Sequence, residues 1–453
     1  MNPTAAQTEL PIPGTVYIET YGCQMNQVDS EIVLSLLEEY GYRRAEEPDR
    51  AEIVLVNTCA VREHAEVKAI SNIGRFSKLK QPGRGMKIGV LGCLSQHAAG
   101  ELKQQLPFLD WILGPDVYRT LPNLLAQEGE CETRILTDAP NDELYDEVLP
   151  SRREGINAWI TISRGCNNHC AYCVVPKARG RERHRPAESI LHEAHEAVQQ
   201  GFVQLTLLGQ NVNSYRHDDI KFPELLAQVA EVPGLKRLRY MTSHPKDCSE
   251  ELLRTMAEHK TICPELHLPF QAGSDSVLKK MGRRYTAKHY RHLVEMARDI
   301  VPNLLLSTDI IVGFPGETHA DYLETERLVK DVQYDDAFVY RYSVRPGTRA
   351  ALNFEDDVPI EVKTERLMRI NEIVRESGKV NRLALLGQQA VVLVEGPSPK
   401  DPRESLGRTF PGHMVVVPGE FAPGTLVPVD LTEMRGYTLR SEVERSWARR
   451  QRA

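Results

Sequence analysis

Six of the nine cysteines in this 453-residue chain form two trios that could do metal chemistry. The tighter trio, Cys166, Cys170 and Cys173, lies in "SRGCNNHCAYCVVP". A tetrahedral zinc site, or a four-iron cluster held by cysteine alone, takes four protein ligands. Three leave one place open. His169, inside the motif, could complete a zinc site, although zinc motifs more commonly offer C-x2-C pairs. A four-iron cluster on three thiolates instead leaves one iron free to bind something catalytic. The dispersed trio is Cys23, Cys59 and Cys93. Three isolated core thiols are the bland alternative for it. Cys131, Cys248 and Cys263 belong to no cluster and are expected to be ordinary buried thiols. An odd cysteine count in a long chain does not read as a disulfide framework.

Directly after the tight trio runs "KARGRERHR", with Lys177, Arg179, Arg181, Arg183 and Arg185 alternating. Such a run alone is a solvated loop; beside a metal site it becomes a candidate RNA contact. The balance of 56 basic and 63 acidic residues, net charge -7, argues against a wholly basic nucleic-acid binder but hides local patches. The longest apolar runs, such as "IVLVNTCAV", fall far short of the roughly 20 residues of a membrane helix. "MNPTAAQTELPIPG" lacks the apolar core of a signal peptide. A cytoplasmic protein without membrane contact is expected.

The elements that must position these cysteines alternate in type. "GTVYIETYGC", "AEIVLVNTCAV" and "MKIGVLGCLSQ" read as strands, each followed by a helical pattern. That alternation predicts a doubly wound parallel α/β domain over 14–135, after a flexible tail at 1–13. Each strand ends in a cysteine, and parallel strands gather their carboxyl ends on one edge, where open α/β sheets place ligands. With neighbouring strands about 4.8 Å apart, Cys23, Cys59 and Cys93 could hold one cluster. Residues 136–154 are polar and acidic and read as a linker.

From "INAWITISRGC" onward about six further βα units follow, predicting a partial (β/α)6-type barrel over 155–380. The tight trio lies after its first strand, on the face where such barrels act. Gln210, Asn211, Asn213, Ser243, Gln271 and Gly313 follow strands of the barrel and are candidate cosubstrate or base contacts, with Glu317 and Arg341 behind them; polar loop capping is the alternative for each. Residues 381–445 hold short β-runs broken by Gly and Pro, a small β-barrel, with Arg408, Phe410, Arg435 and Tyr437 as candidate RNA contacts. A capping domain without a ligand is equally open. A basic tail, "SWARRQRA", occupies 446–453.

The motif Cys166, Cys170, Cys173 resembles that of the radical S-adenosylmethionine enzymes. The resemblance implies that the cosubstrate S-adenosylmethionine takes the fourth ligand place, is cleaved by an electron from the cluster, and yields a hydrogen-abstracting 5′-deoxyadenosyl radical. It puts Tyr172 beside the adenine. "YGCQMNQVDSE", "VNTCAVREHAEVKAISNIGR", "GCNNHCAYCVVPKARGRERHRP", "LLGQNVNSY", "HLPFQAGSDSVLKKMGRRYT" and "DIIVGFPGET" further resemble the methylthiotransferase family, specifically its MiaB branch, and the last domain resembles the RNA-binding TRAM module. The implied activity adds a methylthio group to carbon 2 of N6-isopentenyladenosine beside the anticodon of tRNA. Cys166, Cys170 and Cys173 would hold the radical [4Fe-4S] cluster; Cys23, Cys59 and Cys93 would hold a second, auxiliary one carrying the sulfur. One S-adenosylmethionine would donate the methyl group and another the radical, with both clusters facing one cavity. A flavodoxin or ferredoxin electron donor, a sulfur or iron–sulfur supply protein and a monomeric state are expected. The rival readings are a branch acting on a ribosomal-protein aspartate, one acting on threonylcarbamoyladenosine, and a non-catalytic iron–sulfur RNA-binding protein.

Overall fold

The computed structural model describes residues 14–60, 63–80, 85–126, 132–137, 142–152, 155–444 and 447. Cys131, the N-terminal tail and the basic C-terminal segment other than Trp447 lie outside the described residues. The chain divides into two compact units. The first takes in the described part of Met1–Arg153 with Arg164–Asn167 and Val174–Arg185; the second takes in the described part of Glu154–Ser163 with Asn168–Cys173 and Pro186–Ala453.

The first unit is built on six parallel strands, in spatial order Arg43–Arg44, Thr15–Thr20, Ile53–Thr58, Lys87–Gly92, Trp111–Leu113 and Arg134–Leu136. All six residues of the central strand Ile53–Thr58 are buried, as a parallel strand covered on both faces requires. Ile73, Phe76, Leu94 and Leu102 pack with Val54, Val56, Ile88 and Val90. Helix Gln24–Glu39 starts immediately after Cys23 and buries Val28, Ile32, Val33, Leu36 and Leu37, the spacing of one helical face. The segment read as a linker is partly packed onto this unit, because Tyr145 and Val148 are buried. The Tyr145 hydroxyl donates to the Pro115 carbonyl and accepts from the Tyr118 amide, both at 3.0 Å. Two isolated apolar residues anchor a stretch that has no apolar period.

In the second unit, strands Asn157–Thr161, Gln204–Leu208 and Arg237–Tyr240 form one parallel sheet, and Glu265–His267, Leu305–Val312 and Asp336–Arg341 another. A parallel bridge from Leu238 to Ile262 leads from the first sheet toward the second. This is a partial six-stranded β/α barrel. Strands Gln389–Pro397, Glu404–Arg408, Met414–Pro418, Thr438–Val443 and Leu426–Arg435 close, in that order, into a small barrel around Val392, Val394, Val415, Val417, Val427, Val429, Leu431 and Leu439. Within the same unit, Arg237 donates to the carbonyls of Arg408 (2.8 Å), Thr409 (2.9 Å) and Val391 (2.9 Å), docking the small barrel on the larger one.

Candidate metal centres

In the first unit the parallel register sets the dispersed trio side by side. Thr58 pairs with Gly92, so Cys59 and Cys93 leave neighbouring strands at the same level. Asn26 and Asn57, both fully buried, brace the three turns. Asn26 Nδ2 donates to Asn57 Oδ1 at 2.9 Å and to the Thr58 carbonyl at 3.1 Å, while Asn57 Nδ2 donates to the Asn26 carbonyl at 2.8 Å. Cys23 Sγ lies 3.3 Å from Asn26 Oδ1. Gly92 has φ +94°, and a Cβ there would strike Asn57 and Thr58, so only glycine lets the strand turn into the helix that begins at Cys93.

Cys59 and Cys93 are buried. The neighbouring Cys59 brings the Cys23 thiol down to about 6, against burial and with help from Arg179. Burial pushes the Cys93 thiol up, with Arg179 opposing it. Thiolates are the metal-binding form, and this pocket supplies cation and hydrogen bonds for them. Arg179 Nε donates to Cys93 Sγ at 3.1 Å, and its Nη2 donates to Asp29 at 2.7 Å.

Of the tight trio, Cys166 belongs to the first unit and Cys170 and Cys173 to the second. Gly165 has φ +75°, and a Cβ would collide with the Arg181 backbone; the Cys166 amide then donates to the Gly180 carbonyl at 3.3 Å. In the second unit the Ala171 amide donates to the Met281 carbonyl at 2.7 Å, and the Cys173 amide to the Cys170 carbonyl at 3.1 Å. Arg283 Nη1 donates to Cys170 Sγ at 3.4 Å, and Nη2 to the Pro269 carbonyl at 2.9 Å. Burial works against the Arg283 cation, but Tyr172, Tyr285 and Cys170 raise its pKa above the ordinary value. Each trio thus has a buried guanidinium on one sulfur. Among the described residues no three His, Cys, Asp or Glu side chains converge on one point that could hold a single metal ion. A cluster of four irons distributes its thiolates over separate irons, and an all-thiol donor set with cationic neighbours suits it.

The loops after the barrel strands carry buried polar atoms without hydrogen-bond partners: Ser163 Oγ, Gln210 Oε1, Asn211 Oδ1 and Ser243 Oγ. Ser163 Oγ would meet a Cβ placed at Gly209, and the Val212 amide bonds the Thr242 carbonyl at 3.0 Å, so these loops adjoin. Orphaned buried groups of this kind suit a polar ligand. Asn213 is different, because both ends of its amide bond the His244 backbone. Gln271, at φ +69°, exchanges backbone bonds with Asp309 and Ile311. The Gly313 amide donates to Glu317, which pairs with Arg366 at 3.0 Å. Arg341 bonds Thr364 at 2.9 Å. Tyr172 packs against the barrel core.

The structure corrects the reading of the alternating run as one basic strip. Lys177 and Arg181 are exposed. Arg179 and Arg185 are buried and offer almost no surface to an RNA. Arg183 pairs with Asp116 at 3.0 Å. In the small barrel Arg408 pairs with Glu395 at 2.9 Å, and the Phe410 ring lies 5.8 Å from the Arg237 guanidinium carbon. Arg435 is exposed beside Glu433, and Tyr437 lies under Arg382. Cys248 and Cys263 are buried thiols. Sequence reasoning missed Asn26, Asn57, Asp29 and Arg283. Asn26 and Asp29 follow Cys23 at helical spacing, which was the available signal.

Three family models match the chain: Uncharacterized protein family UPF0004 over residues 15–114, the Radical SAM superfamily over 160–329 and the TRAM domain over 384–443. A tRNA-2-methylthio-N(6)-dimethylallyladenosine synthase from Dictyoglomus thermophilum is 41% identical over 433 residues, covering 95% of this chain and 98% of that protein. The chain belongs to the tRNA-2-methylthio-N(6)-dimethylallyladenosine synthase family. Members of this synthase family from Clostridium botulinum strain Hall (41% over 449 residues, 98% and 100% covered) and Moorella thermoacetica (42% over 436 residues, 95% and 98% covered) agree. Among solved structures, the radical S-adenosylmethionine methyltransferase TsrM from Kitasatospora setae, with cobalamin and a [4Fe-4S] cluster bound, shares the fold at TM-score 0.57 and 14% identity, covering 75% of this chain and 77% of that one. The cobalamin-dependent radical enzyme OxsB shares it at TM-score 0.53 and 12% identity, covering 81% and 56%. Members of the synthase family with a radical SAM domain use S-adenosylmethionine and [4Fe-4S] clusters, and this chain is a transferase of that kind. Among the described residues no helix is long and apolar enough to cross a membrane.

Proposed function

We propose that this enzyme adds a methylthio group to carbon 2 of N6-isopentenyladenosine in tRNA, with S-adenosylmethionine as both methyl donor and radical source. The observation that carries the reading is the pair of all-cysteine trios at strand ends, in a chain 41% identical to a named prenyladenosine synthase over 95% of its length. That identity does not favour the ribosomal-protein, threonylcarbamoyladenosine or non-catalytic alternatives. Cys166, Cys170 and Cys173 would hold one cluster, and Cys23, Cys59 and Cys93 the other. Bound there, the clusters supply the electron that cleaves the sulfonium and the site from which sulfur is delivered.

The chain's own residues bind, orient and exclude water. Arg283 fixes Cys170 and neutralises part of the negative charge a ligated thiolate brings. The unpaired oxygens of Gln210 and Asn211 are acceptors suited to an ammonium or ribose hydroxyl of the cosubstrate, and Ser243 offers a hydroxyl. Tyr172 would provide an apolar flank for adenine. For tRNA, the exposed Lys177 and Arg181 and the TRAM barrel offer phosphate and stacking contacts. A flavodoxin or ferredoxin, a sulfur supply protein, a monomeric state and the cytoplasm complete the proposal.

The test is incubation of the reconstituted enzyme, reductant and S-adenosylmethionine with matched tRNAs carrying or lacking the isopentenyl group. Methylthiolated nucleoside from the prenylated tRNA alone is the expected result. Product from neither, with normal S-adenosylmethionine cleavage, would move the substrate elsewhere.

A further inference from the structure

The first unit contains a row of buried charges longer than ligand positioning needs. Arg183 bonds Asp116 at 3.0 Å, and Asp116 lies 3.8 Å from Arg164. Arg164 bonds Asp29 at 2.9 Å, Asp29 bonds Arg179 at 2.7 Å, and Arg179 ends the row on Cys93 Sγ at 3.1 Å. Asp29 has no exposed surface, and Arg164 and Arg179 are 1% and 3% exposed. Charges are buried only when partnered. Here three guanidinia face two carboxylates, so one positive charge is left over, at the end that touches sulfur. Arg179 Nη1 is itself buried without a partner. A four-iron cluster on three thiolates is an anion, more so when reduced, and completes the alternation.

We propose that Arg179, clamped by Asp29, is a positioning residue that fixes Cys93 and sets the reduction potential of the cluster on Cys23, Cys59 and Cys93. This rests on the reading that this trio holds such a cluster. A cation beside a cluster favours its reduced, more negative state, and net charge and hydrogen bonds to sulfur are among the factors that set cluster potentials. Asp29 sits on helix Gln24–Glu39 and accepts from both arginines, so the charge is held in place before the electron arrives. Lysine keeps the charge but lacks the planar fork that reaches Asp29 and Cys93 together.

The experiment uses the full-length chain with Cys166, Cys170 and Cys173 replaced by Ala, so that one cluster is observed, and reads iron content and the potential from redox titration followed by electron paramagnetic resonance. Arg179→Gln should shift the reduction equilibrium at least tenfold toward the oxidised state, about 59 mV for one electron. Asp29→Asn should shift it the opposite way, and Arg179→Lys should stay nearer the parent than Arg179→Gln. Opposite signs for the two charge changes are what a purely structural role would not give. If Arg179→Gln fails to hold iron, the sign for Asp29→Asn decides. A potential unchanged or lowered in Asp29→Asn, or unchanged in an iron-loaded Arg179→Gln, overturns the inference alone. A parent chain with far fewer than about four irons overturns it together with the cluster reading.

Discussion

Asp29→Ala puts the heaviest load on the buried charge row. The substitution strands Arg179 and leaves Arg164 with only the more distant Asp116, whereas both buried arginines bond the Asp29 carboxylate in the wild type. Removing one partner of a buried pair costs about 3–5 kcal/mol, because the remaining charge stays desolvated. One stranded cation and one weakened pair put the expectation within that range, about 4 kcal/mol. A chain of several domains has no single unfolding free energy, so amide exchange on the metal-free protein is the suitable assay. Amides of Ile53–Thr58 and Lys87–Gly92 should lose about two to four powers of ten in protection, at 1.4 kcal/mol per tenfold. Those of Leu305–Val312, in the second unit, should not change. Burial alone would raise the Asp29 carboxyl, but Arg164 and Arg179 hold it below its ordinary value. A lowered folded value makes this stabilisation complete above the unfolded carboxylate range, about 3.9, and lost as pH falls through the folded value. The difference between wild type and variant should therefore be full at neutral pH and shrink only below about pH 4. Unchanged protection in the first unit at neutral pH would refute the argument that this carboxylate holds the row together.

Other expectations are read by separate assays. Cys170→Ala should produce no 5′-deoxyadenosine, whereas Cys59→Ala should produce it and yield no methylthiolated nucleoside; chromatography of both products checks the division of labour. Ser243→Ala removes a buried hydroxyl that has no protein partner, and should weaken S-adenosylmethionine binding about tenfold, the worth of one hydrogen bond, in calorimetry on the cluster-loaded enzyme. An unchanged affinity would return Ser243 to a loop role. Lys177→Ala and Arg181→Ala, both exposed, should each lower tRNA affinity and flatten its logarithmic salt dependence by about 0.7–0.9, and a wild-type slope in the double variant would remove this segment from the RNA contact.

The parts of the fold visible in the sequence were those with a period. The strands leading to Cys23, Cys59 and Cys93, and Gln204–Leu208 and Leu305–Val312 of the larger barrel, announce themselves as apolar runs between helices. Two strands of the small barrel did not. "ESLGR" carries charges and a glycine, and "TLRSEV" alternates weakly; each is a strand because closing the barrel pairs its backbone and buries Ser405 and Gly407 in the one and Leu439 in the other. Arg179 was misread for a physical reason as well. Whether an arginine is solvated or buried depends on its partner, and Asp29 lies 150 positions away in sequence. Asn57 is one polar residue within an apolar strand, yet it ties the turns of the candidate metal site through Asn26 and Ser30. Local pattern reveals the candidate ligands; the groups that hold them are chosen by contacts between distant segments.

The central claim, sulfur insertion into prenylated adenosine of tRNA, is tested most directly by one competition. The reconstituted enzyme would receive S-adenosylmethionine labelled in its methyl group, together with prenylated tRNA, threonylcarbamoylated tRNA and ribosomal protein, and all products would be digested for mass spectrometry. The account predicts a labelled methylthio group on isopentenyladenosine alone. The same label on threonylcarbamoyladenosine or on an aspartate, with isopentenyladenosine unchanged, would contradict it.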